Sequence, residues 1–359
     1  MSLSSGNDET HSLFNFKSRH NILRHMLYSH NPITGAGVSY SDSGFQSFLE
    51  HSLNNFCYLD LSNASLMQCI DELIKLKVPS SPNYGKNLGC LKHNLRKIQE
   101  QFGCILMPHQ ITEVFWHNFI PYLISNGLAL STITTLCRQL RTVLAWASRF
   151  GAKINPTFDL IKIPSYCHQQ IALTPDDVSH IYHFDISRLR FRPQYRRRLE
   201  QIRDMFVLAC NLGQRHSDML RIDKSCFTHN VFSIMQQKTG TRAKVYLDRM
   251  CIDLKTTYEI LDKYNYEAPY KGDISNFNKG VKELLKIIGF SEEIKRETRI
   301  NGHIETNFIP KYKLVSSHTA RRTFATVNVL RGHKANEIRR ATGHKTETAF
   351  DKYICYYDD

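Results

Sequence analysis

Residues 316–359 read SSHTARRTFATVNVLRGHKANEIRRATGHKTETAFDKYICYYDD. His318 stands three residues before Arg321, His344 follows Gly343, and Tyr353 comes nine residues after His344. The chemistry of these side chains differs in kind. A guanidinium grips oxyanions through paired hydrogen bonds, an imidazole moves protons near neutrality, and a phenol becomes a nucleophile once deprotonated. Each of the short patterns, His-x-x-Arg or Gly-His, is common alone. Their order and separation carry the reading.

Working outward, DMFVLACNLGQRHSDMLRI (204–222) reads as an apolar helix, a stop at Gly213, then Arg215, with Ser217 and Asp218 leading a further helix. VFSIMQQ (231–237) and AKVYL (243–247) are β-prone and flank KTGTR (238–242), a turn containing Gly240. That arrangement predicts a hairpin with Lys238 and Arg242 near its tip.

The ordered set resembles the tyrosine recombinase, or phage-type integrase, family. That family's pattern is an arginine after a Gly-x step with an acid three residues on, a lysine on a β-hairpin, His-x-x-Arg, then Gly-His and a tyrosine near the end of the domain. Here the set is Arg215 with Asp218, Lys238, His318 with Arg321, His344, and Tyr353. The 23 residues from Arg321 to His344 and the nine from His344 to Tyr353 match the usual spacing. The likeness runs from about Ala64 to the end of the chain. Two positions depart from it: Gln214 stands where the family has an apolar residue, and Thr342 where it has leucine. Neither change removes a reacting group.

The chemistry accounts for the residue types. Negative charge on a phosphodiester spreads over its non-bridging oxygens as it is attacked, and Arg215 and Arg321 are the pair expected to hold them. Asp218, one turn from Arg215 on a helix, is placed to orient it. The resemblance implies that Tyr353 forms a 3′-phosphotyrosyl bond and frees a 5′-hydroxyl, that Lys238 protonates the leaving oxygen, and that His318 and His344 bind the phosphate and assist proton movement. The covalent link conserves the bond energy, so no metal, ATP or other cofactor is expected. Tyr356 and Tyr357 lie close behind Tyr353, but only Tyr353 fits the spacing.

Composition agrees with a polyanion partner. The 359 residues carry a formal charge of +14, which points first to nucleic acid and second to an anionic membrane surface. No run approaches the roughly 18 apolar residues of a membrane span, and the first residues lack a secretory layout, so a cytoplasmic protein is expected. The ten cysteines form no CxxC pair and the 17 histidines no HxxxH pair, which argues against zinc-ribbon, thioredoxin-type and histidine metal sites.

The expected fold is mainly α with a small β-hairpin or sheet. A helical core-binding (SAM-like) domain precedes a tyrosine recombinase catalytic domain. Residues 1–61 read as an arm or lead-in segment, with a short amphipathic helix around Asn21 to Ser29 and a loop over 31–44. Residues 62–156 form four helices. The first begins behind Asn63 and stops at Pro79, the third spans about 110–125, and the fourth follows Ser131. Leu88, Leu91, Leu95, Ile98 and Phe102 mark the inner face of the second. Lys86, Lys92, Arg96, Arg138 and Arg141 lie on outer faces and, with Arg242 and Arg322, are candidate DNA contacts or ordinary solvated charges. A linker over 157–171 leads into a second domain over 172–359, opened by Thr174, Pro175, Asp176 and Asp177 as a helix start. The run RLRFRPQYRRR (188–198) is a backbone-tracking patch or a solvated insertion.

The function these readings imply is site-specific DNA recombination by a homotetramer assembled on double-stranded DNA. A DNA-binding regulator that has the fold without the chemistry, and a type IB topoisomerase, stand as alternatives.

Overall fold

The computed structural model describes residues 59–79, 81, 84–160, 163, 170–300, 303–351 and 353–355. The expected helix near residues 21–29, the loop over 31–44, and Tyr356 and Tyr357 lie outside them. The chain divides near residue 161 into two compact units, with Leu128–Thr134 grouped with the second.

The first unit contains helices α1 (Leu66–Lys77), α2 (Tyr84–Phe102), α3 (Glu113–Ser125) and most of α4 (Leu130–Ser148). Helix α1 starts two residues later than the Asn63 expectation, because Ser65 makes a reciprocal cap. Its hydroxyl accepts from the Gln68 amide at 3.3 Å, while the Ser65 amide donates to Gln68 Oε1 at 2.8 Å. Asn63 has Leu66 at the matching position and cannot close such a box. Helix α3 likewise starts behind Thr112, whose hydroxyl accepts from the Phe115 amide. The face of α2 read from the leucine spacing is buried at Leu88, Leu91, Leu95 and Ile98, whereas Phe102 at its end is exposed. Trp116, Phe119 and Leu123 of α3 and Leu140, Val143 and Leu144 of α4 complete the unit's interior.

The second unit is built on α6 (Pro193–Leu212), which follows α5 (Pro175–His183). From Met205 to Leu212 every residue of α6 is buried. An apolar α-helix hidden on all sides is a core element, and α12 (Ser317–Leu330) and α10 (Ile274–Ile288) pack against it. Between them run α7 (His216–Met219), strands β1 (Phe227–Thr228), β2 (Val231–Met235) and β3 (Arg242–Tyr246), and helices α8 (Leu247–Met250) and α9 (Leu254–Lys263). The three strands form an antiparallel sheet in the order β1-β2-β3, with Met235 opposite Arg242. The predicted hairpin is therefore β2–β3, and Lys238 lies in its turn.

A second hairpin departs from the single β stretch expected of this region. Strands β4 (Glu293–Ile300) and β5 (His303–Pro310) pair antiparallel along their whole length, from Glu293 opposite Pro310 to Ile300 opposite His303. Helix α11 (Lys311–Leu314) joins them to α12, and α13 (Ala335–Thr342) and α14 (Glu347–Asp351) end the described chain. The fold is mainly α with small antiparallel sheets.

Beneath α6, Asp204 is fully buried and binds three donors: Arg203 Nε at 2.8 Å, Lys263 Nζ at 2.7 Å and Tyr264 Oη at 2.9 Å. A buried carboxylate needs such partners to remain charged. They fasten α9 to the middle of α6.

Candidate active site

Arg215 and His344 reach the site by the same local device. Helix α6 ends at Gly213 and helix α13 at Gly343, each a cap in the left-handed region with φ of 64° and 67°. Glycine takes this conformation without strain, and the close neighbours demand it as well. A Cβ on Gly213 would overlap the ring of Phe324, and one on Gly343 would overlap the amide of Gln236. Each turn throws the chain back across the end of its helix, which sets Arg215 two residues and His344 one residue beyond the stop.

Helix α12 supplies His318, Arg321 and Arg322 from its first two turns. Arg321 is completely buried. Its Nη1 donates to Gly213 O at 2.9 Å, and its Nη2 donates to Thr342 O and lies 3.3 Å from His344 Nε2. One guanidinium thus ties together both glycine turns. Its Nε–H has no partner among the described residues, and neither has that of Arg322.

Tyr353 follows α14 and packs against His344, with ring centroids 4.4 Å apart and planes inclined at 56°. The His318 ring lies 6.5 Å away, and the guanidinium carbons of Arg321 and Arg322 are 5.6 and 5.8 Å from the tyrosine ring centre. Thr326 holds the segment: its hydroxyl accepts from the Cys355 amide at 3.1 Å and donates toward Tyr353 O at 3.5 Å.

The electrostatics favour neutral imidazoles beside permanent cations. Burial, followed by the charges of Arg321, Arg215 and Arg339, pushes His344 down to about 3. His318 is pushed down to about 4 by the packing round its ring and then by Arg322, Arg321, Arg215 and Lys238, although its outer edge is open to solvent. Burial and the nearby Arg215 charge also hold the Arg321 guanidinium below its ordinary value. The tautomer of His344 follows from its neighbours. Thr342 Oγ1 gives its one proton to Ile338 O at 2.7 Å, so it accepts from His344 Nδ1, 2.8 Å away. Nε2 then keeps a lone pair, directed at Arg321.

The orientation of Arg215 differs from expectation. Asp218 is fully buried, but its Oδ1 accepts from the Gln237 amide at 2.8 Å and from Arg221 Nη2 at 3.0 Å. It anchors the start of the β2–β3 turn rather than the Arg215 side chain. Arg215 Nη1 instead donates to Gln236 Oε1 at 2.7 Å. Lys238 is exposed in that turn, near enough for its charge to be felt at His318.

Among the candidate DNA contacts, Lys86, Arg96 and Arg138 are exposed, as is Arg242 beside the turn. Lys92 pairs with Asp71, and Arg141 donates to Asp159 O at 2.5 Å. Arg322 lies beside Tyr353 at the site. In the basic run, Arg196 binds Ser187 O at 2.6 Å, while Arg190, Arg192, Arg197 and Arg198 are exposed. Arg188 pairs with Asp185 at 2.8 Å.

Arg215, His318, Arg321, His344 and Tyr353 meet at one point, with Lys238 at its edge. Gln236 and Thr326 are additions the sequence reading missed, and the departures Gln214 and Thr342 both prove to be fully buried beside the site.

No family model and no curated protein matches the sequence. Solved structures do. The λ integrase fragment 75–356, a dimer bound to a COC′ core site, aligns with a TM-score of 0.58 at 17% identity, over 82% of this chain and 98% of that one. The Tn1549 transposon integrase in complex with transposon right-end DNA gives 0.59 at 14% identity, over 82% and 96%. XerH site-specific recombinase bound to difH substrate gives 0.52 at 15%, over 98% and 95%. The chain has the fold shared by these integrases and recombinases.

Proposed function

We propose that the protein is a tyrosine-type site-specific DNA recombinase that cuts and rejoins DNA through a covalent 3′-phosphotyrosyl intermediate. The observation that carries this reading is the fully buried, twice-braced Arg321 set under the Tyr353 ring, with Arg215 close enough to act on its charge. Two guanidiniums held this close repel one another. A phosphodiester bound there relieves that repulsion, most of all when its charge is redistributed in the transition state.

On this reading the Tyr353 oxygen attacks the phosphorus and loses its proton. The bond from phosphorus to the 5′-oxygen breaks, and Lys238 delivers a proton to that oxygen. Neutral His344 and His318 each keep a lone pair that can take the proton Tyr353 gives up, which an imidazolium cannot do. The reverse steps reseal a strand, and no cofactor enters. The first unit and the basic faces of α2 and α4 grip the duplex. Recombination by a homotetramer in the cytoplasm completes the reading.

The test is a covalent-capture assay. A pool of end-labelled duplexes, each nicked inside a randomised core, is incubated with protein in EDTA and run on a denaturing gel. A labelled band that survives SDS and vanishes on proteinase treatment is expected, and sequencing the trapped DNA yields the site. Binding without a covalent band would favour the inert regulator. Relaxation of any supercoiled plasmid without site preference would favour the topoisomerase.

A further inference from the structure

Gln236 lies two residues before Lys238 and is almost wholly buried, as are Gln214 and Thr342. Its amide uses every hydrogen-bonding valence. Oε1 accepts from Arg215 Nη1 at 2.7 Å and from Thr239 Oγ1 at 3.0 Å. Nε2 donates to Gln214 Oε1 and to Thr342 O, both at 2.9 Å. The orientation of this amide is settled by chemistry, since a guanidinium only donates and a carbonyl only accepts. Gln214 in turn donates from Nε2 to Leu212 O at 2.7 Å and to Ala341 O at 2.9 Å.

The backbone of Gln236 closes the turn that carries Lys238. Its amide donates to Thr241 O and its carbonyl accepts from the Gly240 amide, both at 2.9 Å. The same residue therefore closes the lysine turn, binds the Arg215 guanidinium and packs over Gly343. A fully satisfied buried network of this kind has one low-energy arrangement, because any shift strands a polar atom out of water.

We infer that Gln236 is a positioning residue. It fixes the Arg215 guanidinium in the place where it meets the phosphate, and Gln214 Oε1 and the Thr342 carbonyl satisfy the rest of its amide. This inference rests on the recombinase reading for its catalytic consequence, though not for the geometry. It accounts for one of the two departures from the family pattern, Gln214, whose side chain accepts from the Gln236 amide, whereas position 342 contributes only its backbone carbonyl. Gln214 and Thr342 are adjacent in space through Gln236, the first through its side chain and the second through its backbone carbonyl. Gln236 contacts neither tyrosine nor phosphate-binding position itself and acts through Arg215.

The test uses the full-length chain with Gln236→Leu, a replacement of similar size that keeps the turn backbone. Single-turnover cleavage of a duplex recovered from the capture assay should fall by about tenfold or more, since a displacement near 1 Å costs on the order of a hundredfold, while duplex affinity stays within threefold. In an Arg215→Lys background the same change should cost less than threefold, because the guanidinium it positions is gone. An equal loss in both backgrounds would overturn the inference, as would a single variant cleaving within threefold of its parent. A second readout needs no DNA: arginine side-chain NMR should show slowed rotation of the Arg215 Nη groups in the parent and free rotation in Gln236→Leu. Identical rotation in the two proteins refutes the positioning role even if the parent forms no covalent adduct, an outcome that would separately refute the recombinase reading. Gln214→Leu guards against a folding artefact, since it touches no reacting group and should reproduce the Arg215 release in weaker form.

Discussion

Arg321 donates from Nη1 to the carbonyl of Gly213, 2.9 Å away, although 108 residues separate them. With its second bond, to Thr342 O, it is a structural brace, and under the proposed function it is also a phosphate ligand. Among the described residues, the Arg215 side chain bonds to Gln236. The two arginines should therefore fail differently.

Arg215→Ala should lower cleavage at least about a hundredfold, the scale of one lost oxyanion donor, at a stability cost of about 1 kcal/mol. Arg321→Ala should abolish cleavage and also cost about 3 kcal/mol, because a cavity and an unpaired Gly213 carbonyl remain. Urea unfolding run beside the adduct assay separates the two. Equal stability of the variants would contradict the bracing role.

Tyr353→Phe removes one oxygen and leaves the ring packed against His344. No covalent adduct should form, while duplex binding and melting temperature stay unchanged. Tyr356→Phe and Tyr357→Phe should each retain the adduct. A shifted band in the Tyr353→Phe lane would reassign the nucleophile.

Sulfate or vanadate, with no DNA present, should raise the melting temperature, because an anion between Arg215 and Arg321 stabilises only the folded chain. The increment should shrink in Arg215→Ala. A rise that is the same in both proteins places the anion elsewhere.

Both histidines have folded values depressed below the ordinary 6.5, to about 4 for His318 and about 3 for His344. Between those values and about 6.5 the unfolded chain binds more protons than the folded one. Their contribution to stability is thus fully present above about pH 6.5 and is lost as pH falls toward 4 and then 3. His318 is open to solvent on one side, so His344 should supply the larger share. Histidine NMR should show the His344 ring neutral, with its proton on Nδ1, down to about pH 4. An imidazole titrating near 6.5 would contradict the depressed value.

Gly343→Ala combines a left-handed φ of 67° with overlap on Gln236. It should cost about 1–3 kcal/mol and displace the Gln236 amide from Arg215. Gly240→Ala, in the Lys238 turn at φ of 61° with open space around it, should cost only the backbone strain. If the two variants cleave alike, packing over Gly343 is irrelevant to the site.

The residues meeting at the site are legible in the chain because their types are chemically specific and glycine stops precede Arg215 and His344. Gln236 is not. Two adjacent glutamines end a β-prone run, and only the pairing of Met235 with Arg242 decides which of them turns inward. Gln214 and Thr342 are visible as polar residues in apolar positions, but their shared partner is not, being 22 residues from one and 106 from the other. The β4–β5 hairpin hides for another reason: charges interrupt its apolar alternation, and the dipeptide Asn301-Gly302 between the strands is its one strong signal. The helix starts at Leu66 and Glu113 differ from expectation because they are set by the capping hydroxyls of Ser65 and Thr112, only the first of which closes a reciprocal bond.

Among the described residues, Thr326 is the only one outside the 350–355 segment whose side chain hydrogen-bonds to it, holding it at Tyr353 O and Cys355 N. Beyond that bond pair the segment is held by packing, with Phe350 in the core and Tyr353 and Ile354 against it, so it has a local stability distinct from that of α6 and α12. On warming, the nucleophile should detach while the core is still native, and adduct formation should fade several degrees below the calorimetric transition. Cooling should restore it in full, since nothing in the interior has come apart.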